Sequence, residues 1–313
     1  MWFFLITLFY LIPSMILYLI TVYVIIKHWK KFKSSFFVWY LLDFLMNTLT
    51  TGITFYTLKL SSVTCQTCAL SSIYLMLENN FTLNIMYSLM YNMSYVQYAI
   101  TSIISINRLS IIWNHFLFER LWIKYSFILI FAINLLPFIN TSQLFYSTCQ
   151  FGNRSDDTFV LRCDLPTNLL FTPLIYFQGV CTLCSLICNI KSCSIVWKAS
   201  IEMKANMEAN FLILITVTSA VQTLGAFITF VLNEYPNSPM YSTFHTYVLP
   251  IISDLFTVMQ PWLLVALCEP IRTRIRKIFG LGSAVVDVAP HNSRVGPTQQ
   301  QNDVSDSRAS IRF

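Results

Sequence analysis

Charge is what this sequence has least of. Lys, Arg, Asp and Glu make up 11% of its 313 residues, against about 25% in a water-soluble domain. So few charges exclude an ordinary soluble fold. Glycine is scarce too: there are seven, and only Gly52, Gly179 and Gly225 fall inside apolar runs. Many transporters pair Gly- and Pro-broken helices in two related halves, and no half-to-half repeat is visible here. The four histidines are scattered, and no nucleophile–base pair or metal-ligand spacing occurs. An enzyme, a cofactor and a bound metal are therefore not expected, nor is a nucleic-acid partner. Met1 to Ile26 lacks Lys, Arg and a small-residue cleavage site, and its apolar run is too long for a secretory signal. It reads as a retained first span.

What the chain does have is apolar residues, at 56%, with 16% aromatic. The runs divide into seven segments of membrane-spanning length at about 2–26, 35–58, 81–107, 123–146, 168–190, 209–232 and 244–268. They do not alternate apolar and polar, so a membrane β-barrel is excluded. The expected fold is an all-α membrane protein, a bundle of seven transmembrane helices. Residues 1–280 would form that domain and 281–313 a disordered tail, polar and without apolar period.

Basic residues orient the bundle. Seventeen of the 20 Lys and Arg fall in alternate loops and the tail, leaving Lys59, Arg154 and Arg162 on the other side. Positive charge marks the cytoplasmic face, so the N-terminus is expected outside and the C-terminus inside. The lipid bilayer is the first partner implied. After Cys268, Ile271, Ile275, Ile278 and Phe279 share one face and Arg272, Arg276 and Lys277 the other. That pattern predicts a short amphipathic helix lying on the membrane after span seven.

Cys65, Cys68, Cys149 and Cys163 fall on the oxidising side and are disulfide candidates, with three pairings open. Asn80, Asn140 and Asn153 begin glycosylation sequons, and Asn153, in mid-loop, is the best placed.

Polar residues inside spans are costly and mark function. In span two, Asp43 and Asn47 lie four residues apart on one helix face, a candidate intramembrane polar latch. Span three carries no charge from Phe81 to Ile106 but many amides and hydroxyls, which place it at the bundle centre. Its tyrosines 87, 91, 95 and 98 recur at helical spacing and suit interhelical packing more readily than ligand contact. Arg108 then stands at its end beside Asn107. It serves either as an interfacial anchor or as a charge gripped in one state and released in another. Asp254 of span seven has no Lys or Arg inside any expected span near its depth. Burial would then leave it protonated, bonded to the tyrosines of span three or to a ligand.

An outside N-terminus, seven spans, an arginine closing span three and an amphipathic helix after span seven resemble a G-protein-coupled receptor. Ser105-Ile-Asn-Arg-Leu-Ser-Ile-Ile is similar to the corresponding stretch of nematode chemosensory serpentine receptors. Ser34-Ser-Phe-Phe-Val-Trp-Tyr-Leu-Leu-Asp43-Phe-Leu-Met-Asn47, with Tyr10-Leu-Ile-Pro13-Ser and Cys163-Asp-Leu, resembles their class gamma. The resemblance implies a receptor in the plasma membrane, including that of a sensory cilium. It would bind an odorant- or pheromone-like small molecule in its outer half and signal through a heterotrimeric G protein. Asn107 and Arg108 would then serve coupling, and Asn84, Tyr87, Ser88, Tyr91, His245 and Asp254 would be candidate ligand contacts. The rival reading is a seven-helix transporter or ligand-gated channel. Asn107 stands where rhodopsin-like receptors carry an acid, which implies that any resting lock is weaker or sited elsewhere.

Overall fold

The computed structural model describes residues 2–76, 81–153, 157–198, 207–235 and 248–280. His245, Asn80, residues 199–206 of the loop after span five and the tail 281–313 lie outside the described residues.

Seven long helices dominate: α1 (Trp2–Lys27), α2 (Ser35–Thr54), α3 (Phe81–Trp113), α4 (His115–Leu135), α5 (Thr167–Lys198), α6 (Met207–Glu234) and α7 (Leu249–Leu267). A shorter α8 (Glu269–Ile278) follows. Long apolar runs become helices because hydrocarbon offers the backbone no hydrogen-bond partner but itself. Six of the long helices are apolar enough to cross a membrane; α3 is the longest, at 33 residues, and is not among the six. Its polarity is explained by its position. It packs against α2, α4, α5 and α6, and buries Asn92, Gln97, Thr101, Ser102, Ser105 and Asn107 among them. The outward surface is apolar instead, with Phe9, Phe127, Phe131, Val180 and Phe227 largely exposed. That inversion, polar within and apolar without, suits a lipid surround.

Two departures from regular helix matter. Past Thr54, α2 widens into a π turn, Phe55–Leu60, and closes with a 3-10 turn, Ser61–Val63. The helix thus runs beyond residue 58, where the sequence suggested it ends. The α4 helix breaks at Leu135, just before Pro137, and resumes as one turn, Phe138–Thr141. A proline has no N–H for the fourth carbonyl back, so the break falls where expected.

One end of the bundle is capped by a hairpin, β1 (Cys149–Asn153) and β2 (Phe159–Cys163), antiparallel with Cys149 opposite Cys163. Cys149–Cys163 and Cys65–Cys68 are the disulfides. Cys65 also bridges Thr158, so the loop after α2 and the hairpin form one cap. Tyr74 fixes that union. Its ring stacks on Tyr56 at 5.1 Å and on Phe159 at 5.1 Å, and meets the edge of Phe151 at 4.8 Å. Burial pushes the Tyr74 phenol well above its ordinary range, so it stays a neutral donor to the Tyr56 carbonyl at 3.1 Å. We call this the hairpin end and the other, with Arg108 and α8, the basic end.

Candidate functional site

At the basic end, Arg108 is 6% exposed, so its charge is folded inward rather than extended to the surface. Its guanidinium lies 4.4 Å from the ring centre of Phe36, in the first turn of α2. A desolvated contact of that kind contributes about 2 kcal/mol. Neighbouring Asn107 donates its amide to the Ser35 hydroxyl at 2.9 Å. Ser35 in turn donates its backbone N–H and its hydroxyl to the two carboxylate oxygens of Glu119, each at 2.6 Å. The side chain of Ser34, which precedes α2, makes no capping bond. Glu119 of α4 supplies the missing acceptor, and its negative charge suits the positive end of the helix dipole. The acid absent next to Arg108 therefore enters from another helix, and it grips α2 rather than the arginine.

Half-way along the bundle, Asp43 and Asn47 sit in a buried network built on one oxygen of Asp43. Tyr18 donates to Asp43 at 2.9 Å, Asn47 to Asp43 at 2.6 Å, and Gln97 of α3 to the Asn47 carbonyl at 2.7 Å. All four side chains are buried. The network joins α1, α2 and α3 through hydrogen bonds in low dielectric, where each is stronger than in water.

Towards the hairpin end lies an ion pair that the sequence reading did not foresee. Lys59 Nζ donates to one oxygen of Asp254, and the Tyr10 hydroxyl donates to the other. Lys59 and Asp254 are each 7% exposed. The expectation that Asp254 has no cation within reach, and is held by the tyrosines of α3, is thus corrected. Its partners come from α1 and from the π turn after α2. The reason is helical phase. At 100° per residue from Asp43, an unbroken α-helix would place Lys59 about 160° away, on the opposite face. A π turn takes up about one extra residue, which brings Lys59 to roughly 60° and into the bundle. The readable signal was a basic residue one position beyond the expected end of an apolar run.

The other candidate ligand contacts fall elsewhere. Asn84 donates to the Ser147 carbonyl at 2.7 Å and Ser88 to the Thr141 carbonyl at 3.1 Å, holding α3 to the segment after α4. The hydroxyls of Tyr87 and Tyr91 lie 3.4 Å apart, and Tyr91 meets Phe171 of α5 edge-on. These four residues line the α4–α5 side of α3, whereas Asp254 faces α1 and α2. Asn140 donates to the Tyr95 hydroxyl at 3.0 Å, so that sequon is engaged within the fold. Asn153 ends β1 on the cap.

A buried charge cluster at each end, joined by polar side chains of a central helix, is the arrangement against which the comparisons are set. The model of the Srg family of chemoreceptors matches residues 4–275. The chain belongs to the Srg family of chemoreceptors. It is 28% identical over 300 residues to Serpentine receptor class gamma-31 of Caenorhabditis elegans, covering 91% of this chain and 93% of that protein. As an Srg chemoreceptor it is a multi-pass membrane protein, and the exposed apolar side chains of its helices are the surface that lipid covers.

Proposed function

We propose that this Srg chemoreceptor crosses the membrane seven times with its N-terminus outside. It binds a small molecule in the hairpin-end half and signals through a heterotrimeric G protein at the basic end. At about 1.5 Å per residue, the 33 residues of α3 reach roughly 50 Å, ample for a hydrocarbon layer about 30 Å thick. Its polar groups face neighbouring helices, so its polarity is no obstacle to crossing. The distribution of Lys and Arg supports the orientation, and the disulfide-bonded hairpin suits the oxidising side.

One observation carries the reading. The buried Lys59–Asp254 pair and the buried Arg108–Asn107 cluster occupy opposite ends of one bundle. Between them lie interlocked polar contacts: Tyr98 of α3 stacks on Phe256 of α7 at 5.8 Å and donates to the Gln222 carbonyl of α6 at 3.4 Å. Ligand energy spent at one end can then bias the packing of α3, α6 and α7 at the other. The partner at the basic end meets Arg108, Asn107 and their Ser35–Glu119 support. A plasma-membrane site, ciliary in sensory neurons, follows from an outward-facing ligand half.

The test is calcium imaging of cells expressing the full chain with a promiscuous G protein, against volatile and pheromone-like compounds. The N-terminus carries an epitope tag, stained before and after permeabilisation. A compound-evoked response with the tag visible on intact cells supports the reading. A tag seen only after permeabilisation overturns the orientation, and a response that survives removal of the G protein favours a channel.

A further inference from the structure

The chemistry of the Lys59 pair narrows what that half of the bundle recognises. Each oxygen of Asp254 is engaged: one accepts from Lys59 and the other from Tyr10. Lys59 is not. An ammonium carries three N–H donors, and among the described residues its Nζ has Asp254 as its one hydrogen-bond partner. Two donors on a side chain only 6% exposed therefore lack acceptors among the described residues. An unmet donor on a buried charge costs more than an ordinary missing bond. The site is thus an acceptor-seeking one, and it is open at the lysine rather than at the aspartate.

Net charge then selects the acceptor. The pair is already neutral, so an anion would leave one uncompensated negative charge in a low-dielectric setting, and an amine would add a positive one. A neutral acceptor adds neither. Among neutral groups, a hydroxyl brings a donor of its own, which would have to share an Asp254 oxygen already held by Lys59 or Tyr10. A carbonyl brings only lone pairs, two of them, on one atom. We infer that the Lys59 site recognises a small neutral carbonyl compound, a ketone, aldehyde or ester, whose oxygen accepts from the free N–H groups of Lys59. Tyr10 keeps Asp254 in place while the lysine bridges the carboxylate and the carbonyl. The Phe4–Phe55 ring contact, 5.7 Å between centroids, joins α1 to the same π turn and supplies apolar surface for a hydrocarbon body.

This inference rests on the proposed ligand-binding half but is tested apart from signalling. Full-length chain in lipid nanodiscs is heated with 2-octanone, 1-octanol, octylamine or sodium octanoate, four probes of one chain length. We expect 2-octanone to raise Tm at concentrations about tenfold below those the other three require, the margin of one hydrogen bond to a charged donor. Lys59→Gln can fail to fold, because it strands Asp254. The second variant, Lys59→Met with Asp254→Leu, removes both charges at similar volume, a change that buried pairs generally tolerate. It should fold and lose the 2-octanone shift. An equal shift in that variant overturns the inference. So does a shift by octylamine or octanoate at or below the 2-octanone concentration, or no shift from 2-octanone at all. A receptor that signals to amines keeps the proposed function and loses this inference. Binding of 2-octanone at Lys59 without G-protein signalling does the reverse.

Discussion

Asn107 hydrogen-bonds Ser35 across the α3–α2 interface at 2.9 Å, while Arg108 one residue later covers Phe36 at 4.4 Å. Two consecutive residues of α3 thus hold two consecutive residues of α2. The contact is a latch between helices, and the residue before the arginine is an asparagine rather than an acid. Removing the Ser35 hydroxyl breaks the chain from Asn107 to Glu119 but leaves the Ser35 N–H on Glu119. Ser35→Ala should therefore lower stability by about 1–2 kcal/mol. Thermal unfolding of the purified chain reads this, and an unchanged Tm contradicts the latch. Ligand-independent signalling should rise in the same variant.

Arg108→Lys tests the guanidinium itself. Lysine keeps the charge and can snorkel, but it lacks the planar face that lies over Phe36. Surface expression should hold while ligand-evoked signalling changes. Equal signalling at equal surface level would show that only the charge matters there.

Lys59→Met alone leaves Asp254 buried with Tyr10 as its one donor. The expected loss is about 3–5 kcal/mol, enough to deplete the protein at the cell surface. Adding Asp254→Leu should restore surface level. If the single variant is as abundant as the native chain, the pair contributes nothing to folding.

Gly225 stands where α6 meets α3. A Cβ there would lie 2.8 Å from the Tyr98 hydroxyl and 3.4 Å from a methyl of Ile252. Gly225→Ala should therefore push Tyr98 off the Gln222 carbonyl and cost about 1–3 kcal/mol. Gly179, with nothing within 4 Å, is the control, and alanine there should match the native Tm or exceed it slightly. A Tm equally unaffected by both substitutions would show that the α3–α6 contact yields freely.

The sequence by itself determined the long helices, the polar character of α3 and the family, because these depend on local quantities. Runs of apolar residues need no partner to be recognised, and the motif around Asn107 and Arg108 is contiguous. It also singled out Asp43 with Asn47, since a four-residue spacing on one helix is legible without neighbours. Only the tertiary structure decided which groups meet across helices. Nothing in the order of residues pairs Cys149 with Cys163 rather than with Cys65 or Cys68. Glu119, 84 residues from Ser35, reads as an ordinary loop acid until α4 brings it onto the first turn of α2. Lys59 and Asp254, 195 residues apart, become partners because one wide turn rotates the lysine inward. Hydrophobic period reports how much of a helix is buried. It is blind to a phase shift of one residue, and such a shift is what turned a loop lysine into a buried charge.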